Sequence, residues 1–415
     1  MIEELLLPFT RNDYQRYDFD NFLTKVDFHY KTPSIHIGGT NGKGSVATYI
    51  ANIYLCAGYK VGLFTSPYLK NINEMIRINN VCISEIEFKT YFQKYEKLFL
   101  KFNLSKFEIE TFIALNYFEE QKCDIAIIEC GMGGEEDATN IFTPLLSVIT
   151  SISLEHTAYL GRSISEIARA KAGIIKKNIP VLIGNLDDEA IDVVKEVAFE
   201  NRSNIFQADH YYDVKYIENG ILFTYKPYQD LYIPSLANFE ILDACLSLEA
   251  IKLLSDNFKV SEDDIRNGLK NSIMVARMNV ISTHPYVITD GAHNPEAMEK
   301  LKVALEALPF KKPIHVIFSC FKDKNIERML AELNFISSDI VLTTFNHPRA
   351  RTYEEYFLFA GEYPFVEDYQ IAIIDKMNGF KDDIILITGS LAFASLVVDT
   401  FSSFAPSYED ISNQD

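Results

Sequence analysis

Ser34-Ile35-His36-Ile37-Gly38-Gly39-Thr40-Asn41-Gly42-Lys43-Gly44-Ser45 is the stretch on which the reading of this chain turns. Ser34 to Ile37 reads as a short buried strand. Gly38, Gly39, Gly42 and Gly44 then interrupt regular structure, and from Ser45 to Cys56 apolar residues recur at helical spacing until Ala57-Gly58 stops them. A glycine-rich turn between a strand and a helix is where a phosphate cradle belongs. Glycine lets the backbone wrap closely, the N–H groups point inward, and the helix N-terminus favours negative charge. Lys43 can reach outer phosphates, and the Ser45 hydroxyl can face phosphates or a metal. The strict pattern G-x-x-x-x-G-K-[ST] is not met, since it needs Gly at Ile37 and Ser or Thr at Gly44. A plain turn with an exposed lysine is the competing reading.

Outward from this stretch, short apolar runs alternate with helical patterns. Lys60 to Phe64, Asp124 to Cys130, Leu145 to Thr150 and Pro180 to Ile183 read as strands; Glu108 to Gln121 and Ser163 to Lys176 read as helices, the latter opened by Ser163 and Glu166 at capping-box spacing. Continuous apolar strands between helices imply a parallel sheet covered on both faces. A helical pattern runs from Leu236 to Leu254, and Ser261-Glu262-Asp263-Asp264 caps another helix. After Met274 the alternation restarts: strands at Tyr286 to Thr289, Ile314 to Ser319, Asp339 to Thr343 and Asp383 to Thr388, helices at Pro295 to Leu308 and Leu391 to Thr400. The expected fold is α/β with two doubly wound domains: residues 1–275, carrying the phosphate loop, and a smaller Rossmann-like domain, 276–415. The polar tail from Ser407 reads as frayed.

The 415 residues are too many for one ordinary core, and 48% hydrophobic with 23% charged residues is a soluble globular balance. No uncharged apolar window is long enough for a membrane span, and Met1-Ile2-Glu3-Glu4 is acidic where a signal peptide is basic, so a cytoplasmic protein is expected. The six cysteines form no CxxC pair and suggest neither zinc nor disulfides. A formal charge of −19 argues against nucleic acid and acidic membranes as partners. Any anionic ligand must therefore find local positive charge.

Glu129 closes an apolar strand, where open parallel sheets place their ligands, and a carboxylate there suits Mg²⁺ or, more simply, ends a strand in solvent. Ser66 and His156 also follow strands. Lys171 lies on a mostly apolar helix, where a lysine ordinarily snorkels to solvent.

Further strings fix a resemblance. Gly39-Thr40-Asn41-Gly42-Lys43-Gly44-Ser45, Gly62-Leu63-Phe64-Thr65-Ser66-Pro67, Asn73 to Asn79 (NEMIRIN), Glu129-Cys130-Gly131-Met132-Gly133-Gly134, Asp137-Ala138-Thr139-Asn140, Glu155-His156-Thr157, Lys171 to Lys176 (KAGIIK), Asp290 to Pro295 (DGAHNP) and Thr388-Gly389-Ser390-Leu391 follow in one order over nearly the whole chain. Together they resemble the folylpolyglutamate synthase and dihydrofolate synthase branch of the Mur ligase superfamily. The resemblance implies an ATP- and Mg²⁺-dependent ligase that joins L-glutamate to a folate or dihydropteroate carboxylate through an acyl-phosphate. A monomer is expected, its partners being small molecules. Another acceptor, or binding of ATP without catalysis, are the alternatives.

By the same resemblance, Thr40, Asn41, Gly42, Lys43, Gly44, Ser45, Asp243, Arg277, Asp290, Asn294 and Ser390 bind ATP. Ser66, Glu129 and His156 hold magnesium, joined by Lys171 once carbamylated. Lys43, His156, Lys171 and His293 serve catalysis. Ser105, Lys106, Phe107, Glu108, Glu136, Asp137 and Ala138 face the acceptor. The chain also departs from the family. Glu135-Glu136 replaces Arg-Leu, Asp243 replaces an asparagine that contacts ATP, Tyr68 replaces a frequent histidine, and Phe239 opens a stretch that elsewhere reads His-Gln. An aspartate lacks the amide donor of that asparagine.

Overall fold

A computed structural model of the chain describes residues 2–10, 16–68, 71–217, 219–359 and 361–402. The tail expected to fray lies outside the described residues. The chain divides into two compact units. One holds Met1–Tyr212, Thr224–Leu231 and Leu242–Ser272; the other holds Asp213–Phe223, Tyr232–Ile241 and Ile273–Asp415.

The first unit is built on an eight-stranded sheet: β1 (Ser34–Gly38), β2 (Val61–Phe64), β3 (Ile76–Ile78), β4 (Val81–Cys82), β5 (Ile125–Glu129), β6 (Leu146–Ile149), β7 (Val181–Ile183) and β8 (Ile205–Gln207), in the order β4-β3-β2-β5-β1-β6-β7-β8. From β2 to β8 the strands are parallel, and β3 and β4 continue antiparallel at one edge. Every residue of β1, β5 and β6 is buried, which is why apolar residues dominate these strands, with Ser34, His36, Glu129 and Ser147 the polar members. Register brings their carboxyl ends together. Ile37 is opposite Glu129 and Val148, and Ile128 is opposite Phe64. Whatever follows β1, β2, β5 and β6 must therefore gather at one rim.

Helices start where serines stand three residues before an acid. Ser84, Ser105, Ser163 and Ser261 each cap a helix, with Glu87, Glu108, Glu166 and Asp264 bonding back. The Ser105–Glu108 pair, expected at the acceptor, thus has a structural role in opening helix Lys106–Glu120. One flank of the sheet is aromatic: Phe22 packs with Tyr95, Phe99, Phe102 and Phe112 at ring separations from 4.8 to 6.5 Å. On helix Lys43–Cys56, Ile53 meets helix Glu262–Lys270 at Gly268, where any Cβ would stand 2.5 Å from the Ile53 Cα. Only glycine allows that approach.

Strands β9 (Tyr212–Ile217), β10 (Gly220–Tyr225) and β11 (Tyr228–Ile233) form a small sheet. The second unit contains β12 (Asn279–Thr283), β13 (Tyr286–Thr289), β14 (Ile314–Phe318), β15 (Asp339–Thr344), β16 (Phe365–Asp368) and β17 (Ile384–Thr388), ordered β12-β13-β17-β14-β15-β16. All are parallel except β12, which runs antiparallel to β13. Helices Pro295–Glu306 and Ile326–Ile336 bury Met298, Leu301, Met329 and Leu333 against one face. Among the described residues no helix is long and apolar enough to cross a membrane.

Candidate active site

The turn after β1 is held open by the segment after β6. Thr40 N–H donates to the Ser151 carbonyl (2.8 Å) and Asn41 N–H to Ser151 Oγ (2.9 Å). The Asn41 carbonyl accepts from Thr150 Oγ1 (2.6 Å) and Ser151 Oγ (3.0 Å). Gly39 has φ +142° and no room for a side chain, since Thr150 Oγ1 would lie 2.0 Å from its Cβ.

Two lysines converge on this turn. Lys43 Nζ donates to the carbonyls of Gly39 and Thr40, both at 3.0 Å, and Lys171 Nζ donates to the same Gly39 carbonyl at 2.7 Å. Lys171 is 2% exposed, so it does not snorkel. Burial first, and the Lys43 ammonium second, pull its pKa down to about 8. Glu155 opposes this shift, and Glu155 Oε1 also lies 3.7 Å from Nε2 of His156, a half-exposed residue at φ 50° that starts helix Thr157–Leu160.

Glu129, 3% exposed, faces the same turn: its Oε2 would stand 3.5 Å from a Cβ on Gly44 and accepts a hydrogen bond from Ser66 N–H at 3.0 Å. No group of three or more His, Cys, Asp or Glu able to hold a metal occurs among the described residues. One buried carboxylate beside a serine and a phosphate turn nevertheless suits Mg²⁺, which takes one or two protein carboxylates and fills its remaining positions with water and phosphate oxygens.

Asp243, on helix Phe239–Leu253, sits on the same loop. A Cβ on Gly42 would meet Asp243 Oδ1 at 2.4 Å. A carboxylate this close to the turn would oppose a triphosphate held there. Asp243→Asn is therefore expected to lower the KM for ATP about three- to tenfold, the magnitude of one weakened charge contact. An unchanged or higher KM in steady-state ADP release would show that the carboxylate does not face the nucleotide.

The acceptor segments adjoin this rim. Phe107 lies 5.8 Å from the Phe64 ring and fills the space beside Gly131, whose Cβ would be 2.5 Å from Phe107 Cζ. Asp137 is buried and accepts from the N–H groups of Met132 (2.7 Å) and Thr139 (3.0 Å); burial still raises its pKa. Ala138 is buried, whereas Glu135 and Glu136 are exposed. Two arginines outside the expected set serve this rim. Arg16 donates to the carbonyls of Asp137 (3.0 Å) and Asn140 (3.1 Å), and Arg77 donates to Thr65 Oγ1 (3.0 Å). Arg77 lay within the NEMIRIN string, but Arg16 carried no motif.

In the second unit, Arg277 stands between Ala276 and Met278, both at positive φ. Asp290 holds this turn. Its oxygens accept from Met278 N–H (3.0 Å) and Ala292 N–H (2.8 Å), and Gly291 N–H meets the Ala276 carbonyl (2.7 Å). Burial raises the Asp290 pKa to about 6 against the pull of Arg277. His293 Nδ1 is 2.9 Å from the Gly291 carbonyl, a contact that requires the proton on Nδ1. Asn294 caps helix Pro295–Glu306. The Ser390 hydroxyl is buried without a hydrogen-bond partner among the described residues, as are those of Thr289, Ser319 and Thr388. Register puts Thr289 beside Ile387, so it and Thr388 point to opposite faces of the sheet and do not form one constellation.

Residues 37–229 match the Mur ligase middle domain and residues 276–391 match the Mur ligase, glutamate ligase domain. The chain is 34% identical to the folylpolyglutamate synthase of Lacticaseibacillus casei over 88% of its own length and 89% of that protein. The chain belongs to the folylpolyglutamate synthase and dihydrofolate synthase family. It is also 34% identical to the dihydrofolate synthase/folylpolyglutamate synthase of Bacillus subtilis, covering 88% of this chain and 89% of that one. The Escherichia coli family structure solved in complex with DHPP and ADP superposes with a TM-score of 0.82 at 28% identity, covering 97% of this chain and 96% of that one.

Within this member of the synthase family, the first unit gathers Thr40, Asn41, Lys43, Ser66, Glu129, Lys171 and Asp243 around one turn. His156 is linked to that group through Glu155.

Proposed function

We propose that the chain condenses L-glutamate with the carboxylate of a folate or of dihydropteroate, at the expense of ATP. The observation that carries this reading is the rim of the first unit, where Lys43, Lys171 and the Ser66–Glu129 pair meet at the phosphate turn. In this reading Lys43 leaves its backbone carbonyls for the outer phosphates, Ser45 and the turn's N–H groups hold the remainder, and Arg277, Asn294 and Ser390 bind ATP. Glu129, Ser66 and His156 would hold Mg²⁺, which when bound spreads the charge of the transferring phosphoryl group. The acceptor carboxylate attacks the γ-phosphorus in line, forming an acyl-phosphate and releasing ADP. The glutamate amine then attacks the acyl carbon and phosphate leaves. The proton that the amine loses has an acceptor in His293 Nε2, given its Nδ1–H tautomer.

Lys171 is proposed to be carbamylated. A neutral buried amine beside another ammonium is nucleophilic toward CO₂, and the carbamate would replace a like-charge contact by an attractive one. Phe107, Lys106, Asp137 and Ala138 face the acceptor, while Ser105, Glu108 and Glu136 shape the segments that carry them. The protein is proposed to act as a cytoplasmic monomer.

The test is ADP release with dihydropteroate and with tetrahydrofolate, each with and without glutamate. Release that requires glutamate and at least one of these acceptors is expected. Release with neither rules the folate reading out.

A further inference from the structure

The backbone around Arg277 is heavily tied, while its side chain is not. Ala276 at φ 58° and Met278 at φ 47° are left-handed, fully buried and not glycine. Such residues cost free energy and persist only where their surroundings hold them, which is commonest at functional sites. The Arg277 carbonyl accepts from Ser235 Oγ at 2.8 Å, and the Arg277 N–H donates to Asn279 Oδ1 at 3.2 Å. On either side, Asp290 takes the Met278 N–H and the Gly291 N–H meets the Ala276 carbonyl. Ser235 is 3% exposed, and its oxygen also accepts from the Ala237 N–H at 3.1 Å, so the hydroxyl is used in both directions. Leu236 and Ala237 lie in the same apolar core as Met278, which anchors both segments. The Arg277 guanidinium, by contrast, donates no hydrogen bond among the described residues, although the charge of Asp290 reaches it.

A chain that needed only a turn here could place glycine at the left-handed positions at no steric cost. Keeping Ala276 and Met278 and bracing them instead holds one backbone geometry, and with it the direction in which the Arg277 side chain leaves. We propose that Ser235 and Asn279 are positioning residues for Arg277, fixing its backbone so that the guanidinium stands with its donors unspent for a phosphate of the nucleotide. This inference rests on the ligase reading above, in which Arg277 binds ATP. A pre-ordered cation loses less freedom on binding, so hydrogen bonds made to its backbone appear as nucleotide affinity. Neither Ser235 nor Asn279 need touch the nucleotide for this effect.

The test is calorimetric titration of a non-hydrolysable ATP analogue with Mg²⁺ into the full chain. It compares wild type with Ser235→Ala, Asn279→Ala, Arg277→Met, and each of the first two combined with Arg277→Met. Ser235→Ala and Asn279→Ala are each expected to raise the Kd of the analogue about three- to tenfold, the worth of one neutral hydrogen bond. In the Arg277→Met background either change should move that Kd by less than about twofold, because both act through the arginine. A purely structural role would leave the loss in place once the arginine is gone. A Kd within about twofold of wild type in both single variants, or a loss undiminished in the Arg277→Met background, overturns the proposal. Should Ser235→Ala fail to fold, Asn279→Ala, at a half-buried position, carries the test. Arg277→Met with a wild-type Kd removes the nucleotide role of Arg277 and this inference with it. Arg277→Met that weakens the analogue beside unaffected Ser235 and Asn279 variants sinks this inference alone. The ligase reading is decided separately, by ADP release with the two acceptors.

Discussion

Lys43→Ala is expected to cut glutamate-dependent ADP release by about 10³-fold or more, or ~4 kcal/mol of transition-state stabilisation, the scale of one pre-organised charge lost at a developing phosphoryl charge. The fold should survive the change, because among the described residues the Lys43 ammonium donates only within its own turn, to Gly39 and Thr40. The melting temperature should accordingly stay within a few degrees of wild type. A loss smaller than about tenfold in kcat/KM would mean that Lys43 does not touch the transferring group.

Lys171→Ala carries the second large effect. If the carbamate completes the magnesium site, this variant loses about 10²- to 10³-fold in kcat, and a short carboxylate such as propionate restores part of it by filling the vacated space. Wild type stripped of CO₂ should lose activity and regain it with bicarbonate. The reaction needs the neutral amine, and because burial and Lys43 bring Lys171 to about 8, reactivation should quicken as pH passes 8, well below the ordinary lysine range. The sign for stability follows. Between about 8 and the ordinary lysine value the unfolded chain binds the proton that the folded chain has lost. Stability of the unmodified protein therefore rises with pH across that window and is lowest below it. Activity that ignores both bicarbonate and propionate would leave Lys171 acting as a plain cation.

Much of the fold was legible because burial on both faces leaves mostly apolar residues in a strand, with few exceptions such as His36 and Ser147. Strands at Ser34, Asp124 and Leu145 were placed within a residue or so of β1, β5 and β6. Strand β9 was missed for the opposite reason. Most of its residues are exposed, and its mixed polar sequence carries no core periodicity. Helix Glu85–Lys101 was overlooked although Ser84 and Glu87 announce it. Strand β3, at the sheet's antiparallel edge, lies inside NEMIRIN, where the motif masks it, and the two-residue β4 just beyond is too short to carry a period.

For the site, residue types at strand ends could be read, but side-chain directions could not. Lys171 could equally have snorkelled; only the fold shows it reaching the Gly39 carbonyl. The cost of Asp243 depended on its distance to Gly42, and that of Glu135 and Glu136 on their exposure, neither of which lies in the sequence. The resemblance assigns Asp290 to ATP; that its oxygens also brace the backbone around Arg277 is visible only in the fold.

The ammonium of Lys43 is occupied before any nucleotide arrives, by carbonyls only three and four positions back along the chain. In the proposed role of Lys43, triphosphate entry would trade partners instead of simply adding a contact, so its heat of association should be modest for the number of charges involved. When ADP is ready to depart, those same two oxygens stand waiting to recapture the lysine. In that role the loop would carry its own competitor against the spent nucleotide, and each turnover would start from a cradle that has reset itself.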